Sequence, residues 1–124
     1  MSDHRLLTTR EPWASAIIFG DKDTENRSQG FPKNFRGPQW IHTSKAWSHR
    51  GAFDPRIRAT FDGTPRGYAV RHETAHRGQP PHPFRGGMVI GRVEVEDIHP
   101  AAGCCDPWGE ESYPPANREA RPPG

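Results

Sequence analysis

Apolar residues fall in short clusters along this chain, and each cluster has its own period. Arg5 to Thr9 reads as a first strand. Beyond it, Trp13, Ala14, Ile17 and Ile18 lie on one helical face, with Pro12 where a helix accepts its first proline and Gly20 available as a stop. A helix of about eight residues does not persist alone, so packing must hold it. The next cluster, PQWIHTS over 38–44, reads as a buried strand centred on Trp40 and Ile41. Ser44 is then placed to cap a short helix through SKAWSHR. Near the far end, Val89, Gly91, Val93 and Val95 alternate with Ile90, Arg92, Glu94 and Glu96, the period of a half-buried strand.

The intervening stretches are polar. GDKDTENR (20–27) opens as a helix-to-strand turn; if 23–28 run extended, Glu25 and Arg27 share one face and Thr24 and Asn26 the other. SQGFPKNFRGP is a Gly/Pro loop. Residues 51–87 offer few apolar anchors apart from a short element around Tyr68 to Val70, and read as a long, mobile insertion. Residues 112–124, rich in Pro, Ala and charge, read as a disordered tail, leaving 1–111 as the domain.

Composition narrows the class. At 124 residues there is one domain at most, and 31% hydrophobic residues beside 14 Pro and 13 Gly imply much turn and loop. No apolar run nears the length of a membrane span, and the N-terminus has no secretory h-region. Cys104 and Cys105 are adjacent, a poor geometry for bridging each other, which fits a reducing, cytoplasmic setting. Net charge is +2 but uneven: nine Lys/Arg against three Asp/Glu from Gly37 to Arg92, then two against seven to the end. A basic middle suits a polyanion; it is equally consistent with a solvated face.

Three pieces resemble one family. REPWASAIIFGDKDTENR, FRGPQWIHTSK, and RGGMVIGRVEVEDIHPA followed by CCDPWGE are similar, in order and spacing, to the ASCH (activating signal cointegrator homology) domain of the PUA-like superfamily. The most specific piece is the P-W-A-x-x-I helix followed by G-x-K-x-x-E-x-R. The resemblance implies an α+β fold: a small, strongly curved PUA-like β-barrel with one or two short helices, and a cleft lined by the G-x-K-x-x-E-x-R segment. It also implies binding of RNA or a modified nucleoside. Some members are ribonucleases, and a compact branch hydrolyses N4-acylated cytidine. The family usually continues after its PW segment with an aromatic-rich strand and one more; here SYPPANREARPPG follows, so the C-terminal strands are expected to be missing and an open barrel edge invites self-association. Where the amidohydrolase branch carries a catalytic Thr three residues after its Lys, this chain has Glu25, with Thr24 one place early.

The resemblance assigns the catalytic or ligand-gripping role to Lys22, Glu25 and Arg27. Lys22 and Arg27 would meet an anionic or carbonyl oxygen while Glu25 orients one of them or acts as acid or base. A lysine in a partly dry cleft can also lose its proton near neutral pH. The competing structural reading is a Glu25–Arg27 brace with Lys22 in solvent. A second set, Arg36, His42, Ser44, Lys45 and Trp47, is assigned to nucleic-acid contact: Ser44 and free helix N–H groups to hold a phosphate, Lys45 beside them, and Trp47 as the tryptophan most open to stacking on a base. Trp13 and Trp40 are expected in the core. HETAH (72–76) matches the H-E-x-x-H zinc helix, with His82 at third-ligand spacing, but Pro80 and Pro81 deny the long helix that such a site needs. No metal site and no cofactor is therefore assigned. An N4-acylcytidine amidohydrolase or ribonuclease, a zinc hydrolase through His72, Glu73 and His76, and a truncated inert product remain as rival readings.

Overall fold

Residues 5–26, 34–72, 78–99, 105 and 107–109 are described by the computed structural model. In chain order they form β1 (Arg5–Glu11), α1 (Trp13–Phe19), β2 (Gly37–Trp47), α2 (His49–Ala52), α3 (Pro55–Thr60), α4 (Pro65–His72) and β3 (Val89–Val95). The class is α+β. The sheet order is β1-β2-β3, with β1 parallel and β3 antiparallel to the central β2. A parallel pair cannot be joined by a hairpin, so α1 and the segment after it carry the chain back to the start of β2. Among the described residues the result is an open three-stranded sheet with short helices beside it, a partial small barrel.

Register fixes which residues face the helices. Leu7 pairs with Ile41 and Ile41 with Gly91, while Leu6 pairs with Trp40 and Trp40 with Arg92. Ile41 is buried, whereas Leu6 is exposed and Trp40 half-buried, so the first row faces inward and the second outward. Trp40 therefore lies on the outer face with the Arg92 guanidinium 5.6 Å from its ring centre, and not in the core as its cluster suggests. Gly91 marks where α1 meets the sheet: a Cβ there would lie 2.7 Å from Ile18 Cδ1. A strand glycine at a close approach of this kind makes room for the neighbouring element.

The helix expected after Ser44 does not form there. β2 continues to Trp47, and α2 starts only at His49, capped by Ser48, whose Oγ accepts from Gly51 N at 2.9 Å. Two contacts hold Lys45 to Trp47 extended. The Trp47 N–H donates to the Gly78 carbonyl, and the Trp47 ring is buried against Phe84 at 5.1 Å between centroids.

The stretch beyond residue 51, where the sequence pattern offers one element around Tyr68 to Val70, builds α3, α4 and the last turn of α2. Asp54 caps α3 through Arg56 N (2.8 Å), with Pro55 in the first turn. Thr64 does the same for α4: its Oγ1 accepts from Gly67 N at 3.1 Å, and Pro65 opens the helix. These helices are too short to stand alone, and packing holds them. Ala52, Ile57, Phe61, Ala69, Val70 and Phe84 from this region form one buried cluster with Ala16, Trp47 and Trp108. Residues 112–124, read as a tail, lie outside the described residues.

The start of α1 uses an unusual cap. Pro12 stands at the N-cap and offers no side-chain acceptor, so Glu11 takes that task. Its Oε1 accepts from Ser15 N and its Oε2 from Ser15 Oγ, both at 2.7 Å, and the side chain is almost fully buried. Burial raises the Glu11 carboxyl above the ordinary glutamate value, although the Ser15 hydrogen bonds and the Arg66 charge pull the other way. The folded state thus holds this proton more tightly than the unfolded chain. Stability must then fall as pH rises from the ordinary glutamate value through the raised one. Glu11→Gln keeps an acceptor for Ser15 N and a donor for Ser15 Oγ and removes the titration. Urea midpoints from acid to neutral pH are expected to lose this component of decline in the variant; parallel profiles for the two proteins would refute it.

Candidate functional site

The segment after α1 turns back on the helix end. Gly20 N and Lys22 N both donate to the Ala16 carbonyl at 3.1 Å, and Asp21 N donates to Thr60 Oγ1 at 3.0 Å. Gly20 is needed for proximity to α3 and not for a left-handed turn: its φ is −108°, while a Cβ would lie 2.7 Å from Thr60 Oγ1. This turn directs the Lys22 side chain inward.

Lys22 is 5% exposed, against the solvent position of the brace reading. Its ammonium donates to the Thr24 carbonyl and to Glu25 Oε1 at 3.1 Å. It also lies 5.8 Å from the ring centres of both Trp13 and Trp108. Arg56 approaches the same two indoles from α3, at 6.0 and 5.2 Å. Two cations thus share two aromatic rings, an arrangement that strengthens as water is excluded. Each cation has its own carboxylate: Glu25 for Lys22, and Asp54 for Arg56 through Nε–Oδ1 at 2.9 Å and Nη2–Oδ2 at 2.6 Å.

Trp108 is tied in from two sides. Asn26 Nδ2 donates to its carbonyl at 2.9 Å, and Arg56 Nη1 donates to the Pro107 carbonyl at 2.9 Å. Its indole Nε1 is buried and has no hydrogen-bond partner among the described residues. The Trp13 indole is satisfied, donating to Ser48 Oγ at 3.0 Å. The Thr24 hydroxyl donates to Asp23 Oδ1 at 3.1 Å, so it is engaged away from the ammonium. Chemically, the group offers a fixed ammonium, a fixed guanidinium and two indoles, the combination that grips an anionic or carbonyl oxygen next to a flat ring.

Of the trio expected at the cleft, Lys22 and Glu25 are brought together, and Arg27 lies outside the described residues. Sequence reasoning missed Arg56, Asp54 and the role of Asn26. Asp54-Pro55-Arg56 carried a usable signal, since an N-cap residue before proline announces a helix start.

The second set does not converge. Arg36 precedes β2 and is exposed, paired with Asp97 at 3.1 Å. Lys45 lies nine positions further along the chain, about 30 Å away in extended backbone. His42 Nδ1 shares a hydrogen bond with Thr8 Oγ1 at 3.2 Å on the outer face. Ser44 Oγ accepts from Ala46 N at 3.1 Å within the strand, so no helix N-terminus stands there to hold a phosphate. Trp47, expected to be the open tryptophan, is 4% exposed and belongs to the core.

His72 ends α4 and stacks on Tyr68 at 4.6 Å, whereas Glu73 and His76 lie outside the described residues, as does Cys104. Among the described residues, no group of three or more His, Cys, Asp or Glu is placed to hold a metal ion. No helix among them is long and apolar enough to cross a membrane.

The family model described as "ASCH domain" matches residues 7–117. No curated protein and no solved structure matches the chain.

Proposed function

This chain belongs to the ASCH-domain family of the PUA-like superfamily, and from that premise we propose that it binds RNA or a modified nucleoside at the Lys22 cluster. One observation carries the reading: a lysine ammonium buried between Trp13 and Trp108 and held by Glu25 at 3.1 Å. Burying a charge is costly unless it is paired, and a protein needing only a brace has cheaper apolar options. Here the lysine meets a phosphate or base carbonyl, Arg56 supplies the second cation, and the half-buried Trp13 gives a flat ring an apolar wall. Arg27 stands beside them in the sequence and completes the trio. Self-association through an open sheet edge and a cytoplasmic location are part of the same reading.

Binding is favoured over hydrolysis. The amidohydrolase branch carries its Thr where this chain has Glu25, and the Thr24 hydroxyl is turned to Asp23. The test is a titration of fluorescent single-stranded RNA, with N4-acetylcytidine as competitor. Affinity is expected to fall as salt rises, because phosphate contacts release counterions. Arg56→Ala is expected to weaken it about tenfold, within the range of charge-assisted hydrogen bonds. Absence of binding by both RNA and the nucleoside, or Arg56→Ala affinity equal to wild type, would overturn the proposal. Release of acetate from the competitor would turn the binder into an enzyme.

A further inference from the structure

A concavity lies beside Phe19, the last residue of α1. Its volume is about 310 Å³, at the lower end of small-molecule sites. Phe19, Met88 and Val89 give it apolar walls, Glu11 lies against it, and Arg66 and Arg85 supply cations. It is separate from the Lys22 cluster. Ser15 and Trp13 are two positions apart on α1, which turns their side chains roughly 200° apart around the axis.

The Arg66 side chain is held ready. Its Nε donates to Ser15 Oγ at 3.3 Å, and its guanidinium lies 4.3 Å from the Phe19 ring centre and 5.7 Å from that of Phe84. Among the described residues its two terminal nitrogens make no hydrogen bond, and Arg85 makes no hydrogen bond or ion pair. A guanidinium fixed at Nε with its fork unoccupied is shaped for two parallel bonds to an oxyanion. The one carboxylate among the lining residues is Glu11, and both of its oxygens are already engaged by Ser15. Burial moves that carboxyl toward its neutral form, which weakens its opposition to an incoming anion.

We infer that this pocket binds a small aromatic oxyanion, a flat ring bearing a carboxylate or a phosphate, with the oxyanion on the Arg66 fork beside Arg85 and the ring against Phe19 and Val89. The site owes nothing to the RNA reading and stands or falls separately from it.

Calorimetric titration of the full chain with benzoate, phenyl phosphate and neutral benzamide tests this. At least one anion is expected to bind tenfold or more tightly than benzamide, and the better of the two identifies the oxyanion. Arg66→Lys keeps the charge and loses the fork, so the preference should fall at least fivefold. Val89→Trp should fill the mouth and abolish binding while RNA affinity stays at the wild-type value. Arg85 is exposed, so Arg85→Gln gives a variant that leaves the packing alone, with weaker binding of the anion expected. Equal affinity for all three probes, or an anion preference undiminished in Arg66→Lys, in Val89→Trp or in Arg85→Gln, would overturn the inference.

Discussion

Trp108→Ala is expected to lower unfolding stability by about 3–5 kcal/mol, the range for truncating a large buried aromatic. A domain of this size has a total of about 5–15 kcal/mol, so the variant should melt many degrees lower or fail to fold at room temperature. The reason is position. Trp108 is 1% exposed and sits in the same cluster as Ile57, Phe61 and Trp47, although it comes from a segment far along the chain. Its ring also faces both Lys22 and Arg56. Truncation therefore opens a cavity and leaves two cations with one indole in place of two. Trp108→Phe separates these effects. It retains an aromatic face and removes an indole N–H that has no partner among the described residues, so the cost of that orphaned donor is returned. Urea midpoints should rank wild type and Trp108→Phe close together, with Trp108→Ala well below. A loss under about 1 kcal/mol in the alanine variant would mean that the core does not depend on this residue.

How far the sequence reveals this arrangement depends on the kind of signal. Strands and the first helix follow from period: the Val89–Val95 alternation, the helical spacing of Trp13, Ala14, Ile17 and Ile18, and the apolar centre of β2 all reappear in the fold. The end of β2 was not legible, because Ser44 and Ser48 are equally good caps on local grounds. The choice falls to Ser48 through burial of Trp47 against Phe84 and the Trp13 hydrogen bond to Ser48 Oγ, both contacts with residues distant in sequence. α3 and α4 fail the periodicity criterion for another reason. Short helices of Pro, Arg, Gly and Ala carry few large apolar residues, yet Asp54-Pro55 and Thr64-Pro65 each mark a start. Cap chemistry was the better guide there than hydrophobicity.

The site shows the same division. The G-x-K-x-x-E-x-R spacing places Lys22 and Glu25 within hydrogen-bond reach, a local outcome that a motif can encode. That the ammonium lies between Trp13 and Trp108, with Arg56 on the same rings, requires the turn at Gly20, the start of α3 and the segment at 107–109 to meet. No spacing in one dimension states that. Trp47 is the reverse case. A tryptophan in a polar setting, SKAWSHR, resembles a surface stacking residue, yet β2 carries it inward: Trp47 keeps the phase of the buried Gln39, Ile41 and Thr43 and pairs with Glu11 beyond the register shift after Thr9.

Lys22→Met decides whether the buried lysine serves the ligand or the fold. Methionine is similar in length and apolar, so it can fill the space between the two indoles without a cavity. Glu25, whose side chain is 21% exposed, keeps access to water when the ammonium is gone. The variant is therefore expected to unfold within about 1 kcal/mol of wild type. Ligand affinity should behave differently. Losing one charge-assisted hydrogen bond of about 1.5–3 kcal/mol weakens binding roughly tenfold to a hundredfold. The slope of log affinity against log salt should also drop by about one phosphate contact. A structural brace makes the opposite pair of forecasts: removing one partner of a buried ion pair costs about 3–5 kcal/mol, and the molecules that still fold bind as before. Measured together, stability and RNA affinity place Lys22 on one side or the other, since no single role lowers both in the same proportion.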